Sequence, residues 1–105
     1  MLEVYKKQKS NDEVTIFVKG ELDISTVNHF INECKKLEGV TLVNLNLANL
    51  AFIDSTGIGA ILELIYLSKE KHIQLKIIES NQDIKDIFDT MGIMRVLEAI
   101  QRGDM

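Results

Sequence analysis

Proline is absent from the 105 residues, and cysteine occurs only once. Cys34 therefore has no partner for an internal disulfide, and its place on an apolar helical stripe predicts a buried, reduced thiol. A reduced thiol is typical of a cytoplasmic protein. No linker, low-complexity run or internal repeat divides the chain. The sequence thus predicts one cytoplasmic domain over residues 1–105.

The chain also lacks a long apolar segment and an excess of basic residues. Its longest apolar run, residues 60–67, is interrupted by Glu63 and is too short to cross a bilayer. Charged residues interrupt the apolar pattern near the N-terminus, where a signal peptide would need an apolar region. Sixteen acidic against twelve basic residues give a net charge of −4. We therefore expect neither nucleic acid nor a membrane to be a direct partner.

The first part of the chain has the pattern of a β-hairpin. Val4 lies in a short extended segment, residues 10–12 supply turn-forming side chains, and residues 14–18 are rich in β-branched and aromatic side chains. Gly20 is expected to end the second strand. Ser25 is then the expected N-cap of a helix.

Helical and strand patterns alternate over the rest of the sequence. The predicted order is a helix between Ser25 and Gly39, strand 41–47, helix 55–71, strand 73–78 and a further helix. Asn81 is the expected cap of that last helix, and Gly92 is expected to close it. Residues 93–100 fit a helix or an edge strand, and we favour the strand.

Composition and element order together predict the fold class. An apolar fraction of 46% and a charged fraction of 27% are typical of a globular domain that buries a core without a metal or disulfide. Strands separated by helices predict βαβ crossovers with parallel strands, and the hairpin adds an antiparallel pair. We therefore predict a single α/β domain with a mixed β-sheet packed by helices.

The helix predicted over residues 55–71 is more apolar than one packed face requires. Its predicted core face carries Gly57, Ile58, Ile61, Leu64, Ile65 and Ser68. Leu62 and Tyr66 lie beyond that face. This surplus either packs on neighbouring helices or contacts a partner, and the pattern leaves both alternatives open.

Residues 54–57 are predicted to form a strand-to-helix loop. At a helix start, the unpaired backbone N–H groups and the positive end of the helix dipole stabilise an oxygen acceptor or an anion. A phosphate on Ser55 or Thr56 would fit this position. On local chemistry alone, however, an ordinary cap formed by either hydroxyl is the more common situation.

Several enzyme chemistries lack the residues they need. Ser55 is not in a Gly-x-Ser-x-Gly elbow, and the two histidines, His29 and His72, are predicted off the apolar stripe and at a helix end. Residues 54–57 resemble an aspartic-protease loop, but no second copy exists to supply the facing carboxylate. Leu62 replaces the third glycine of a dinucleotide loop, and no Cys/His cluster has metal spacing. We expect neither a cofactor nor a metal.

Three segments resemble the STAS domains of bacterial anti-sigma factor antagonists. They are GELD at residues 20–23, LNLANLAFIDSTGIG at residues 45–59 and IFDTMGI at residues 87–93. Their order and spacing also fit, and the similarity covers nearly the whole chain. The resemblance implies a STAS-like fold and makes the Ser55 hydroxyl more than a simple cap.

The resemblance implies a partner switch. In this family, the unphosphorylated antagonist binds an anti-sigma factor that is also a serine kinase, and this binding releases a sigma factor. The kinase phosphorylates the serine that matches Ser55, and a PP2C-type serine phosphatase reverses the modification. The protein would be a ligand and a substrate without turnover of its own. Thr56 lies where family members often carry serine or alanine, so this chain has a second acceptor hydroxyl, and Thr56 is the alternate phosphorylation site.

We expect the partner to contact the loop, the helix start and one acidic residue before the first helix. The expected contacts are Asp23, Asp54, Ser55, Thr56, Gly57, Ile58, Gly59 and Leu62. The resemblance suggests Asp23, which is otherwise an ordinary loop carboxylate, and the apolar surplus suggests Leu62. The end of the sequence at Met105 predicts little or none of the family's final helix.

Two other functions remain open at this stage. The chain could be a STAS interaction or scaffold module that is not phosphorylated, which mass spectrometry after incubation with kinase and ATP would reveal. A hydrolase with Ser55 as nucleophile ranks third, because the residues that would activate the hydroxyl are not evident.

Overall fold

The computed structural model describes residues 1–103, which form five strands and four helices. In chain order these are β1 Leu2–Gln8, β2 Glu13–Leu22, α1 Val27–Lys35, β3 Leu42–Leu47, β4 Leu50–Ile53, α2 Ser55–Glu70, β5 Gln74–Ser80, α3 Gln82–Met91 and α4 Ile93–Arg102. No helix within the described range is both long and apolar enough to span a membrane.

The sheet is mixed, as the sequence predicts. The strand order is β1-β2-β3-β5, and β4 also pairs with β2. β1 runs antiparallel to β2 in the expected hairpin, whereas β2 with β3, β2 with β4, and β3 with β5 are parallel pairs. The parallel pairs require crossover connections, which α1 and α2 supply. The predicted single α/β fold is confirmed.

Gly20 does not end β2, so that part of the prediction is wrong. The strand continues to Leu22, and its register shifts between Gly20 and Glu21. Gly20 has a φ of +106°, and a Cβ there would lie 2.1 Å from the Met1 carbonyl oxygen. Only glycine accommodates this close approach without strain. The irregularity lets β2 pair with β3 along its first half and with β4 at its end.

The strand β4 was not predicted from the sequence. It has four residues, of which Leu50 and Ile53 are buried and Ala51 and Phe52 are exposed. Such a short segment carries too little periodicity to be recognised, and its pairing with β2 stabilises it. The consequence for the site is that α2 begins at the end of β4 and not directly after β3.

The hydrophobic core lies between the helices and the sheet, and the sheet positions predicted to be apolar face it. Val43, Leu45 and Leu47 of β3 are buried, as their alternation predicts. The polar face of the same strand is also partly enclosed, because Asn44 is buried and donates from Nδ2 to Glu13 Oε2 at 2.8 Å. On α2, the whole predicted core face from Gly57 to Ser68 is buried.

The helix α1 is shorter than predicted. It begins at Val27 after the N-cap residue Thr26, not after Ser25, and it ends at Lys35, before Gly39. The apolar stripe predicted for this helix is nevertheless confirmed, because Phe30, Cys34 and Leu37 are buried and Val27 and Ile31 pack partly buried against the core. Burial raises the pKa of the Cys34 thiol to about 12.

The strand predicted over residues 93–100 is wrong, because these residues form the helix α4. Ile93, Leu97 and Ile100 are 1%, 5% and 4% exposed, and their spacing places them on one helical face. Gly92, with a φ of +70°, closes α3 as predicted and separates it from α4. A ten-residue helix therefore closes the described chain, and the expectation of little or no final helix is also wrong.

Candidate functional site

Two helix starts lie side by side at one end of the sheet. The parallel strands β2 and β4 end together, with Leu22 opposite Ile53 in the last pair of their register. Asp23 follows the first strand on the way to α1, and Asp54 follows the second on the way to α2. Because parallel strands end at the same edge, the fold brings both predicted carboxylates to one surface.

The carboxylate of Asp54 caps α2. Its Oδ1 atom accepts a hydrogen bond from the Gly57 backbone N–H at 2.9 Å, and its backbone is extended, as at most N-caps. Residues 55–57 already belong to the helix, so the predicted four-residue loop shrinks to Asp54 alone. Neither Ser55 nor Thr56 is the cap, and the side-chain oxygens of both remain available for other chemistry.

Ser55 is exposed at the first position of α2, whereas Thr56 is half-buried. Within residues 1–103, the Ser55 hydroxyl forms no hydrogen bond, and the backbone N–H groups of Ser55 and Thr56 have no acceptor. An added phosphate at Ser55 would lie beside these donors and the positive end of the helix dipole. Of the two hydroxyl-bearing residues, Ser55 is therefore the more accessible.

Gly57 and Ile58 are buried beneath this surface. A Cβ at position 57 would lie 2.3 Å from the Leu22 carbonyl oxygen and 2.7 Å from Ile53 Cγ1, so glycine allows α2 to approach the ends of β2 and β4. Ile58 is 5% exposed. The expectation that these two residues contact a partner directly is therefore corrected, because they support the helix start from below.

The other expected contacts reach the surface to different degrees. Gly59 is exposed, and Asp23, Asp54 and Leu62 are partly exposed. Leu62 also packs against the core, so packing accounts for part of the apolar surplus of α2. Tyr66 does not share this explanation, because 48% of its surface stays exposed.

Asp23 is held within its own loop. Its Oδ1 atom accepts from the Ser25 hydroxyl at 2.6 Å and from the Ser25 backbone N–H at 2.9 Å. These bonds from Ser25 lower the pKa of the Asp23 carboxyl below its ordinary value. The side chain is therefore an ionised acceptor fixed in a turn.

Two exposed apolar residues at this end of the sheet were not singled out from the sequence. Ile24 is 77% exposed in the turn before α1, and Phe52 is 50% exposed on β4, opposite Glu21. Neither belongs to a periodic pattern, so periodicity could not reveal them. The available signal was the presence of a large apolar side chain between the turn-forming residues Asp23 and Ser25.

The described residues offer little for metal or hydrolytic chemistry. Over residues 1–103, no group of three or more His, Cys, Asp and Glu side chains is arranged to hold a metal ion. His29 lies on α1 and His72 in the turn after the end of α2, so both exposed histidines are on parts of the chain other than the start of α2. The site's chemistry therefore consists of one accessible hydroxyl, a capping carboxylate and a rim of apolar and acidic side chains.

This geometry defines a single α/β domain with an accessible serine at a helix start. The sequence matches the family described as the STAS domain over residues 4–102. The chain belongs to the STAS domain family, and the predicted resemblance is confirmed.

Named relatives and solved structures agree with that assignment. The anti-sigma-B factor antagonist of Staphylococcus epidermidis is 31% identical over 85 residues, covering 79% of this chain and 79% of the relative. The anti-sigma factor antagonist SpoIIAA in its unphosphorylated form superposes with a TM-score of 0.71 at 20% identity, over 86% of this chain and 81% of that one. The phosphorylated form of SpoIIAA, from Bacillus, gives a TM-score of 0.70 at 21% identity, over 95% and 98% of the two chains. At these identities the solved structures show a shared fold.

Proposed function

We propose that this protein is an anti-sigma factor antagonist that works by partner switching. In its unphosphorylated form it binds an anti-sigma factor that is also a serine kinase, and a sigma factor is released. Phosphorylation of Ser55 ends the binding, and a PP2C-type phosphatase restores it. The protein acts as ligand and substrate. The observation that carries the proposal is the exposed, unbonded Ser55 hydroxyl at the start of α2.

The relatives support the same role. The S. epidermidis protein is named an anti-sigma-B factor antagonist, and SpoIIAA has been solved in an unphosphorylated and a phosphorylated form. Ser55 lies in the segment, residues 45–59, by which the sequence resembles this family, and it is the first residue of α2. Transfer of the role to this chain rests on that resemblance together with the exposure of the hydroxyl.

The domain itself tolerates the modification. A phosphoserine carries about −1.5 to −2 charges at neutral pH. At position 55 this charge would face the free N–H groups of Ser55 and Thr56 at the positive end of the helix dipole. The fold is therefore expected to survive phosphorylation, and the switch acts on binding.

The partner interface does not tolerate the charge in the same way. A protein docked over a neutral Ser55 would have to bury a dianion next to the Asp54 carboxylate. The penalty for such a desolvated, like-charged pair is about 3–5 kcal/mol when no partner compensates it. Since each 1.4 kcal/mol is about a tenfold change in affinity, this is enough to abolish most binding.

The expected contacts take different parts in this scheme. Ser55 accepts the phosphate, and Thr56 is the less accessible alternate. Asp23, Gly59 and Leu62 contribute exposed or partly exposed atoms to the interface. Gly57 and Ile58 hold the helix start in place from the core, as described above.

A phosphosite map tests the proposal. The protein, its Ser55→Ala variant and its Thr56→Ala variant are incubated with the anti-sigma factor kinase encoded by the same genome and ATP, and the products are analysed by mass spectrometry. We expect one phosphate at Ser55 in the unaltered protein and in Thr56→Ala, and none in Ser55→Ala. A phosphate on Thr56 would move the switch by one residue. If the protein forms a complex with the kinase but carries no phosphate, the result would favour a STAS interaction module that is not phosphorylated.

A further inference from the structure

We infer that Ile24 is the apolar anchor of the partner surface, and that the anti-sigma factor receives its side chain in an apolar pocket with a basic rim. The inference rests on the proposed function and extends it to a residue outside the segment that carries Ser55. It concerns which partner is recognised, whereas Ser55 controls when the partner is bound.

Ile24 is unusually exposed for a large apolar residue. Its side chain is 77% exposed, more than any other large apolar residue between positions 2 and 103. The remaining exposed apolar side chains of this group range from 36% to 56%. A single exposed apolar residue is unremarkable on its own. The position of Ile24 beside the phosphorylation site gives it significance.

A hydrogen bond joins the backbone of Ile24 to the start of the helix that carries Ser55. The Ile24 backbone N–H donates to Asp54 Oδ2 at 3.4 Å, while the other oxygen of the same carboxylate accepts from Gly57 N–H. Ser55 directly follows Asp54 in the chain. A protein that covers Ser55 therefore also lies within reach of Ile24, and the two residues form one continuous surface.

Hydrogen bonds within the turn already order the backbone around Ile24. The Thr26 hydroxyl accepts from the Asp23 backbone N–H at 3.0 Å and donates to the Glu21 carbonyl at 2.8 Å. The Asp23 carboxylate holds Ser25 through two more bonds. Ile24 is thus presented at the tip of a fixed turn, and little conformational entropy remains to be lost when a partner binds.

The charge around Ile24 specifies the chemistry of the occupant. Residues 20–34 and residues 37–68, which build both loops of the site, contain no lysine or arginine. The N-terminal ammonium forms an ion pair with Glu21 at 2.7 Å, and both oxygens of Asp54 accept from backbone N–H groups, so Asp23 is the carboxylate of the turn that a partner can meet. A complementary surface is therefore apolar where it receives Ile24 and basic where it faces Asp23.

Calorimetric titration with the purified anti-sigma factor kinase, without ATP, tests the inference. We expect Ile24→Ala to weaken binding at least tenfold and Ile24→Val to stay within about threefold of the unaltered protein, because most of the apolar contact is retained. Ile78→Ala is the matched control, since Ile78 is 45% exposed on β5 away from the site and its removal should leave binding unchanged. Circular dichroism should show all three variants folded, because both isoleucines are exposed.

The outcomes separate this inference from the function on which it rests. If Ile24→Ala binds as tightly as the unaltered protein while Ser55→Asp loses affinity, the anchor is refuted and the partner switch stands. If the unaltered protein does not bind the kinase, both fall. We also expect the unaltered protein to sediment as a monomer. A dimer that disappears in Ile24→Ala would assign the residue to contact with a second copy of the chain and would overturn the inference.

Discussion

The Oδ2 atom of Asp54 accepts a hydrogen bond from the Ile24 backbone N–H at 3.4 Å, across 30 residues of sequence. The Oδ1 atom of the same side chain caps α2 through the Gly57 N–H at 2.9 Å. One carboxylate thus fixes both the helix that carries Ser55 and the turn that carries Ile24. The position of the two expected interface residues relative to each other depends on this side chain.

Replacement of Asp54 should separate its two roles. Asp54→Ala removes the cap, and loss of a side-chain cap typically costs about 0.5–2 kcal/mol of unfolding free energy. Asp54→Asn keeps an oxygen for the Gly57 N–H and should retain most of the stability, but its amide NH₂ cannot accept from Ile24. Urea denaturation of the three proteins measures the difference. Equal stability of the alanine variant and the unaltered protein would show that the cap contributes nothing.

The glycines at positions 57 and 59 form a natural pair for comparison. Gly57→Ala places a Cβ 2.3 Å from the Leu22 carbonyl oxygen, so α2 must shift, and we expect a loss of about 1–3 kcal/mol. Gly59→Ala has no atom within 4 Å of its Cβ and lies inside a helix, so a gain of about 0.5–1 kcal/mol is expected. Denaturant midpoints measure both changes. A stable Gly57→Ala protein would contradict the close approach of α2 to β2.

Local sequence signals were sufficient for the elements whose boundaries are set locally. The helix α2 was predictable because its buried stripe is long. Both ends of α3 were predictable as well. Asn81 caps its start by accepting from the Ile84 N–H at 2.9 Å, and Gly92 ends it in a left-handed conformation. The start of α2 near Ser55 was identifiable for a similar reason, since a strongly apolar helical pattern begins there, although the strand before it, β4, was missed.

Elements that depend on distant partners could not be predicted in this way. The four-residue strand β4 exists because β2 passes its register irregularity at Gly20 and pairs with it. The helix α4 is selected because Ile93, Leu97 and Ile100 meet the core together, although alternation also fitted a strand. The exposure of Ile24 and its bond to Asp54 likewise arise only after both loops reach the same edge of the sheet. The surface of the site was therefore less predictable than its central serine.

The thiol of Cys34 should be protected in the folded protein. Its pKa is raised to about 12 by burial, whereas the ordinary value is 9.0, so the native state keeps the proton to higher pH than the unfolded state. The unfolded state therefore loses its proton first as the pH rises above about 9, and the Cys34 contribution to stability falls between pH 9 and pH 12. Comparison with Cys34→Ala over this range isolates the contribution of the thiol.

The reactivity of the same thiol gives an independent measurement. We expect an alkylating reagent to modify Cys34 slowly at pH 8 in the native protein and rapidly in denaturant, because the thiolate is the reactive form and the side chain is 1% exposed. Rapid native labelling would contradict the burial of α1 against the sheet.

Negative charge at Ser55 should weaken partner binding without unfolding the domain. Ser55→Ala removes the acceptor but keeps the surface neutral, so it should bind the kinase about as tightly as the unaltered protein and resist release by ATP. Ser55→Asp places a carboxylate beside Asp54 in the interface, and we expect at least a tenfold loss of affinity, which corresponds to about 1.4 kcal/mol. Gln74→Glu is the control, because it adds the same charge far from the site. Gln74 pairs with Leu42 at the starts of β5 and β3, whereas the site lies where β2 and β4 end, so binding should not change.

Titration calorimetry at two salt concentrations distinguishes an electrostatic from a steric loss of affinity, since only the electrostatic part weakens with added salt. Equal affinity of Ser55→Asp and the unaltered protein would rule out charge at this helix start as the physical basis of the switch.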